Sequence, residues 1–379
     1  MQLLPSAQPA LAKSPPLRYM HRIDTKEVAM SPIAGSRISV IQRHSARACL
    51  AVGMFVSLTG SGSAQDAAKK LLVAHAGLIS THSSVWLAEG QGFYRKHGLD
   101  VSAVFTGSGS VTSQALVAGE VRVASTSVGP TAGAVGAGAD LAIFAGLIHI
   151  LPYQFWVHSQ VRQAADLKGK RVAISTFGSG SHLAAEVGLQ QLGLDPGRDK
   201  IAIIQVGQQP ERVAALLSGR IDATALDPGF AQAAKDRGLT MMVNMTKADV
   251  PYLNTVIVAS RRYVRENPQI MDSFLKGTVD GLAFLPNPAN ERVVKGVLAR
   301  RLRLTSPQDI QSMYDATLEI HAKTKVPNVP LAGVQNMIDA LLRVNPRMEK
   351  LKAADLVDSS FIERLEKSGY IAEAMKWRG

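Results

Sequence analysis

Lys170-Arg171-Val172-Ala173-Ile174-Ser175-Thr176-Phe177-Gly178-Ser179-Gly180-Ser181 is the stretch that decides the fold. Arg171–Ser175 is an apolar run of strand length, and the Gly/Ser loop after it opens a helical segment. One hundred residues earlier the chain does the same. Leu71–His75 leads through Ser80 and Thr81 into a second helical segment. The echo continues outward. Val101–Phe105 and Val121–Ala124 in the first copy correspond to Ile201–Val206 and Ile221–Ala225 in the second. Ala115-Leu116 and Gly119 correspond to Ala215-Leu216 and Gly219. A repeated β-α-β-α-β unit is a parallel-sheet unit with right-handed crossovers. Two copies predict an α/β chain of two lobes, each a mostly parallel sheet flanked by helices. In open α/β sheets ligands bind beyond the carboxyl ends of the strands, so a cleft between the lobes is the expected site.

The loops at those strand ends supply the candidate ligand-binding residues. In the first copy these are Ser80, Thr81, His82, Ser108, Ser110, Ser125 and Ser127. In the second they are Ser179, Ser181, His182, Gln208 and Asp227. Hydroxyls donate hydrogen bonds without adding charge, and helix N-termini add unpaired N–H groups and a partial positive charge. Helix caps and turns alone account for any one of these loops. Five such loops at equivalent places in a repeat argue for a site. Few of the predicted cleft positions are Arg or Lys, so the expected ligand is a small organic anion selected by shape and hydrogen bonding. Asp227 fits an amine partner or, more simply, the start of the Asp227-Pro228-Gly229 turn.

The composition is that of a soluble globular protein, 46% hydrophobic with 5% aromatic residues over 379 positions. Residues 1–64 depart from it. Arg43-His44-Ser45-Ala46-Arg47, the apolar run Ala48–Leu58 and the small-residue stretch Thr59–Ala64 read as a secretory signal, with cleavage expected after Ala64. The apolar run is too short to span a bilayer. Cys49, the one cysteine, lies inside that signal, which excludes disulfides, thiol catalysis and cysteine–metal sites from the mature chain. Of the net charge of +12, residues 1–64 carry +5, leaving +7. The basic residues are scattered as on solvated faces, without a nucleic-acid signature.

Beyond Lys247 the pattern becomes helical after one apolar strand, Asn254–Ser260. Asn267-Pro268 and Ser306-Pro307 mark helix starts. That strand is expected to return to the first lobe. Lobe 1 then comprises residues 65–155 and 253–379, lobe 2 residues 156–252, and the two crossings act as a hinge.

Trp86–Asp100, Asp166–Ala173, Gly193-Leu194-Asp195-Pro196 with Asp199, Ala214–Ala223 and Leu356–Phe361 together resemble the substrate-binding proteins of bacterial ABC importers, in the nitrate/sulfonate/taurine group. The resemblance covers roughly residues 70–370. It implies a two-lobed periplasmic binding fold that closes on a small ligand, with an inner-membrane permease and its ATPase as partners. It leaves the ligand open among nitrate, sulfonates, taurine, bicarbonate, aromatic acids and pyrimidine precursors. A periplasmic monomer without cofactor is expected.

Two other function classes are weighed against it. An enzyme on the same fold, of the kind that makes the thiamine pyrimidine precursor, calls for a cytoplasmic chain with a reactive lysine or cysteine. A ligand sensor reporting to a membrane receptor would share the binding lobes. No Gly-x-Ser-x-Gly elbow, P-loop or complete dinucleotide fingerprint is present. His75, His82 and His182 fall at strand ends without metal-ligand spacing, so hydrogen bonding is their expected role and no metal is expected.

Overall fold

The computed structural model describes residues 68–247, 251–342 and 345–376. The expected signal, its cleavage after Ala64 and Cys49 lie outside the described residues. Two five-stranded sheets form two lobes. In the first, β1 (Lys69–His75) pairs in parallel with β2 (Leu99–Phe105) and with β3 (Val123–Ser127). β4 (Leu141–Gly146) forms the far edge of this sheet. In the second, β5 (Gln154–Val157) crosses over from the first lobe, and β6 (Arg171–Ile174) pairs in parallel with β7 (Ala202–Gln205) and β8 (Ala223–Leu226). β9 (Thr240–Asn244) lies at its edge, and β10 (Thr255–Ser260) returns to the first sheet.

The strand orders, β2-β1-β3-β10-β4 and β7-β6-β8-β5-β9, are the same arrangement twice. In each sheet the one antiparallel strand is the crossing strand, inserted between the third and the edge strand. β10, central in its sheet, and β4, at the edge but covered, are both almost wholly buried, which is why both are largely apolar. The third strand of each repeat starts two residues later than the sequence predicts. Val121 and Ile221 still close the preceding helix–strand turn, bonding back to the carbonyls of Ala115 and Ala215. β4, β5 and β9 are not among the strands expected from the repeat.

The helices that build the cleft are α1 (Ser83–Gly90), α2 (Gly109–Ala118) and α3 (Val128–Gly136) from the first lobe, and α4 (Gly180–Gln191), α5 (Gln209–Leu217) and α6 (Pro228–Lys235) from the second. Gly119 and Gly219, equivalent in the repeat, both take left-handed conformations (φ 74° and 69°) as their helices end, where a Cβ would be strained. The helices that follow include α7 (Pro268–Phe284), α8 (Pro307–Ala322) and α9 (Leu331–Leu341). Ser306 caps α8 through the Asp309 N–H, as its Ser-Pro signal predicts, whereas Asn267 before α7 makes no such cap and donates instead to the Tyr263 carbonyl.

One apolar cluster ties the lobes together on the side of α8. Phe230 of α6 packs with Met313 and Tyr314 of α8 and with Trp86 and Leu87 of α1. Among the described residues no helix is long and apolar enough to cross a membrane.

Candidate functional site

Four helix N-termini converge between the lobes, two from each. Ser108 precedes α2 and caps it through the Val111 N–H. Ser127 ends β3 where α3 begins. Ser179 caps α4 through the His182 N–H, and Gln208 precedes α5. They enclose a cavity of about 50 Å³. Its wall includes Ser108, Thr126 and Ser127 from the first lobe, and Ser175, Ser179 and Ser181 from the second. Gln208, Gln209, Arg212 and Asn254 add to its polar lining.

The hydroxyls of the second lobe form a closed set. Ser175 Oγ lies 2.9 Å from both Ser179 Oγ and Ser181 Oγ, and those two are 3.0 Å apart. Ser181 Oγ also accepts the Ser175 N–H at 2.8 Å, which fixes the loop against the end of β6. Four other polar atoms on residues of the lining are not satisfied. Arg212 Nε, Gln209 Nε2, Asn254 Nδ2 and Thr126 Oγ1 are buried without a hydrogen-bond partner. Three of the four are N–H donors. Each buried, unpaired donor costs about 1–3 kcal/mol, so a ligand presenting acceptors there recovers that cost.

Arg212 is 2% exposed. Its Nη1 donates to Thr224 Oγ1 at 2.9 Å and to the Ala225 carbonyl at 2.6 Å, anchoring the guanidinium on β8. Burial pushes its pKa down to about 10, so it remains a cation at neutral pH. Gln209 is held in turn, because its Oε1 accepts the Asp227 N–H at 2.6 Å. Tyr153 also lines the cavity, its phenol pushed up to about 12 by burial.

The expected site residues divide into three groups. His82, Ser108, Ser127, Ser179, Ser181 and Gln208 line the polar cavity. Ser110 and His182 line a second, larger space on the other side of the same seam. Ser80, Thr81, Ser125 and Asp227 line neither. Ser125 accepts or donates to His82 Nδ1 at 2.8 Å, positioning that ring. Ser80 Oγ donates to Asp227 Oδ2 at 2.7 Å, a bond from one lobe to the other. Two more bonds cross between lobes: Gln208 Nε2 donates to the Gly107 carbonyl at 2.5 Å, and Ser110 Oγ donates to the Phe177 carbonyl at 3.0 Å. Asp227 also accepts the Gly229 N–H at 2.8 Å, the turn bond its Asp-Pro-Gly sequence predicts. Burial raises its pKa to about 6, against the bonds from Ser80 and Gly229 that favour the carboxylate.

The residues that the sequence reading passes over are Thr126, Ser175, Gln209, Arg212 and Asn254. Arg212 is one basic residue in a lining where few were expected. Its position was nevertheless marked by the repeat. Thr112, its counterpart one hundred residues earlier, is also fully buried near the start of its helix and bonds to Thr106 Oγ1 and the Ser108 carbonyl. His75 and His82 sit against Trp86 in an aromatic group. Burial lowers the pKa of His75 to about 4 and that of His82 well below the usual histidine value, so both are neutral near pH 7. Among the described residues no group of His, Cys, Asp or Glu has the arrangement of a metal site.

Among solved structures, the nitrate-binding protein NrtA from Synechocystis PCC 6803 superposes with a TM-score of 0.69 at 13% identity, over 81% of this chain and 91% of that one. The alkanesulfonate-binding protein SsuA from Xanthomonas axonopodis pv. citri, bound to MOPS, superposes with a TM-score of 0.63 at 20% identity, over 77% and 98%. These likenesses establish the fold as that of the two-lobed periplasmic binding proteins. In sequence, a putative ABC transporter periplasmic binding protein of Brachyspira hyodysenteriae is 29% identical over 134 residues. That stretch is 35% of this chain and only 37% of the relative's length. The family model described as NMT1/THI5 like matches residues 79–291, which takes in most of both lobes and every helix N-terminus at the cavity. The chain belongs to the NMT1/THI5-like family.

Proposed function

We propose that the protein is an extracytoplasmic solute-binding protein that captures a small organic anion, a sulfonate or carboxylate, between its lobes. It delivers this ligand to an inner-membrane ABC permease driven by its ATPase. The observation that carries the reading is the set of orphaned donors, Arg212 Nε, Gln209 Nε2 and Asn254 Nδ2, beside the Ser175–Ser179–Ser181 hydroxyls at converging helix N-termini. Donors in this arrangement suit the oxygens of an oxyanion, and the buried guanidinium supplies the countercharge. The names of its relatives agree in kind: one structural neighbour binds alkanesulfonates, another nitrate, and the Brachyspira relative is a putative periplasmic binding protein. Export by the Arg43–Ala64 segment follows from the same reading.

Lobe 1 (65–155 and 253–379) and lobe 2 (156–252) close on the ligand about the crossings near residues 156 and 252. The bonds Ser80–Asp227, Gln208–Gly107 and Ser110–Phe177 hold the closed arrangement. The protein is not an enzyme in this reading. The cavity wall carries no lysine or cysteine to act as a nucleophile. Native mass spectrometry of the protein as purified from the periplasm, followed by calorimetry with the mass-identified compound, is the test. A cationic or neutral ligand, or a full-length cytoplasmic product, refutes it.

A further inference from the structure

We propose that α8 is a strap that holds the two lobes closed, and that Met313 is the positioning residue through which it does so. A ligand then enters and leaves only when α8 parts from α6, in addition to any bending at the two crossings. Those crossings are themselves joined, because the Asn254 N–H donates to the Ile148 carbonyl at 2.8 Å.

The first observation is how α8 is fastened. It follows the first-lobe helices in the chain and shares an apolar cluster with Trp86 and Leu87 of α1 and with Val294, Val297 and Leu298 of the helix Glu291–Leu302. Lys295 of that helix donates to Gln311 Oε1 and lies 5.2 Å from the centre of the Tyr314 ring, both on α8. The other side of α8 lies on the second lobe, against α6. Met313, 1% exposed, sits over Gly229 at the start of α6. A Cβ added to Gly229 would come within 2.7 Å of Met313 Cε and closer still to its Sδ, so the thioether fills the room that glycine leaves. Phe230, the next residue of α6, is 9% exposed and belongs to the same cluster.

The second observation is what Gly229 holds. Its N–H donates to Asp227 Oδ1 at 2.8 Å, and Asp227 Oδ2 accepts from Ser80 Oγ of the first lobe. The Asp227 N–H donates in turn to Gln209 Oε1 at 2.6 Å, and Gln209 Nε2 is one of the unpartnered donors of the cavity wall. The seat of Met313 is therefore joined, bond by bond, to a group of the polar cavity. The turn Ser80–His82 also packs against α8, so the strap and the Ser80–Asp227 bond share one corner. The third observation is asymmetry. On this side, parting the lobes draws Met313 and Phe230 out of an apolar cluster and loses their burial. On the other side of the seam a groove of about 1070 Å³ lies open, and the bond from Ser110 to the Phe177 carbonyl spans between the lobes. Resistance to opening is therefore concentrated at α8.

The test is thiol labelling of dialysed, ligand-free protein. Cys49, the one cysteine, is replaced by serine, and a single probe is introduced, either Ser108→Cys at the cavity wall or Ala142→Cys inside the first lobe. A cavity of about 50 Å³ admits no aromatic disulfide reagent, so the cleft probe reacts when the lobes part and the core probe when the lobe unfolds. In the wild-type background the cleft probe is expected to react faster than the core probe and far more slowly than a free thiol. Met313→Ala raises the cleft rate at least about thirtyfold, the loss expected when a buried methionine is cut back. Met313→Leu, close in volume, stays within about tenfold of wild type. Gly229→Ala pushes the strap away from the second-lobe side, raises the cleft rate likewise, and serves where Met313→Ala does not fold. A cleft probe as reactive as a free thiol, or one no faster than the core probe, overturns the strap. So does a cleft rate that Met313→Ala leaves unchanged, and a core rate that rises alone would make Met313 a support of the first lobe only. These outcomes are read without ligand, so the solute-binding reading stands or falls on its own test.

Discussion

Replacing Arg212 by methionine separates what the residue does for the ligand from what it does for the fold. Burial lowers the guanidinium from its usual strongly basic range to about 10, a shift equivalent to about 3 kcal/mol against holding the charge in place. The sign follows from the direction. The unfolded chain binds this proton more tightly, so the burden is present in full below the folded pKa, including at pH 7, and vanishes only above the unfolded value. Against it stand the bonds to Thr224 Oγ1 and the Ala225 carbonyl. At about 1.5 kcal/mol each, the low end for charged donors, they return a similar amount. Thr224 keeps a bond of its own to the Ala173 carbonyl, so little is left unsatisfied when Arg212 goes. Methionine is unbranched and apolar and fills an irregular gap. The ligand-free variant is therefore expected within about 1 kcal/mol of wild type or above it, as when buried charges are replaced by hydrophobes. Binding moves the other way. Losing the charge-assisted bond from Nε weakens the anion by about 1.5–3 kcal/mol, ten- to a hundredfold. Urea unfolding without ligand and calorimetry with it measure the two effects. Wild-type affinity in the variant would show that the anion does not touch Arg212. A loss of stability beyond about 3 kcal/mol would make the residue structural.

Ser80→Ala removes the donor to Asp227 across the lobes and is expected to cost about 1–3 kcal/mol at pH 7.5, where the carboxylate is charged and left without that partner. At pH 5, below the raised pKa of about 6, the loss shrinks; equal losses in urea at both pH values would refute this account. His75, neutral with a folded pKa of about 4, contributes stability that is complete above its unfolded value of 6.5 and is lost as pH falls toward 4, a total of about 3 kcal/mol. Asp227 acts in the opposite sense, its contribution lost as pH rises from 3.8 to about 6, so His75→Phe should flatten the acid limb of a stability–pH profile and Asp227→Asn should steepen it. Gly281→Ala drives a methyl from α7 into the Ser84 carbonyl and to 3.0 Å from Ala88 Cβ on α1, and is expected to destabilise by about 1–3 kcal/mol or more, read as a lowered Tm.

The parts of the fold that were legible are those in which local chemistry and tertiary role coincide. Leu71–His75 and Arg171–Ser175 are apolar because they lie in the middle of their sheets, and the Gly and Ser residues that follow begin the next helix, so one local pattern carries both facts. β4 is as apolar as any strand in the molecule, but it lies past the third strand of the repeat, where the echo that framed the reading ends. β5 and β9 have no counterpart among the strands the repeat predicts and carry Gln154 and Asn244, which interrupt the apolar pattern. At the site the limit is different in kind. A hydroxyl at a strand end can donate to a ligand, to its own helix or to the facing lobe, and these uses call for the same residue in the same place. Ser179 caps its helix and faces the cavity, Ser80 holds Asp227, and Ser110 holds Phe177, yet nothing in the three local sequences separates them. Arg212 fails from the opposite direction. Between Glu211 and Val213 near the start of a helix it reads as a solvated charge, and only the packing of α5 onto β8 buries it. The repeat alone reaches across that gap. It places Arg212 on Thr112, whose hydroxyl bonds back to the Ser108 carbonyl before its own helix, so the two copies share a buried position and differ in the charge they put there.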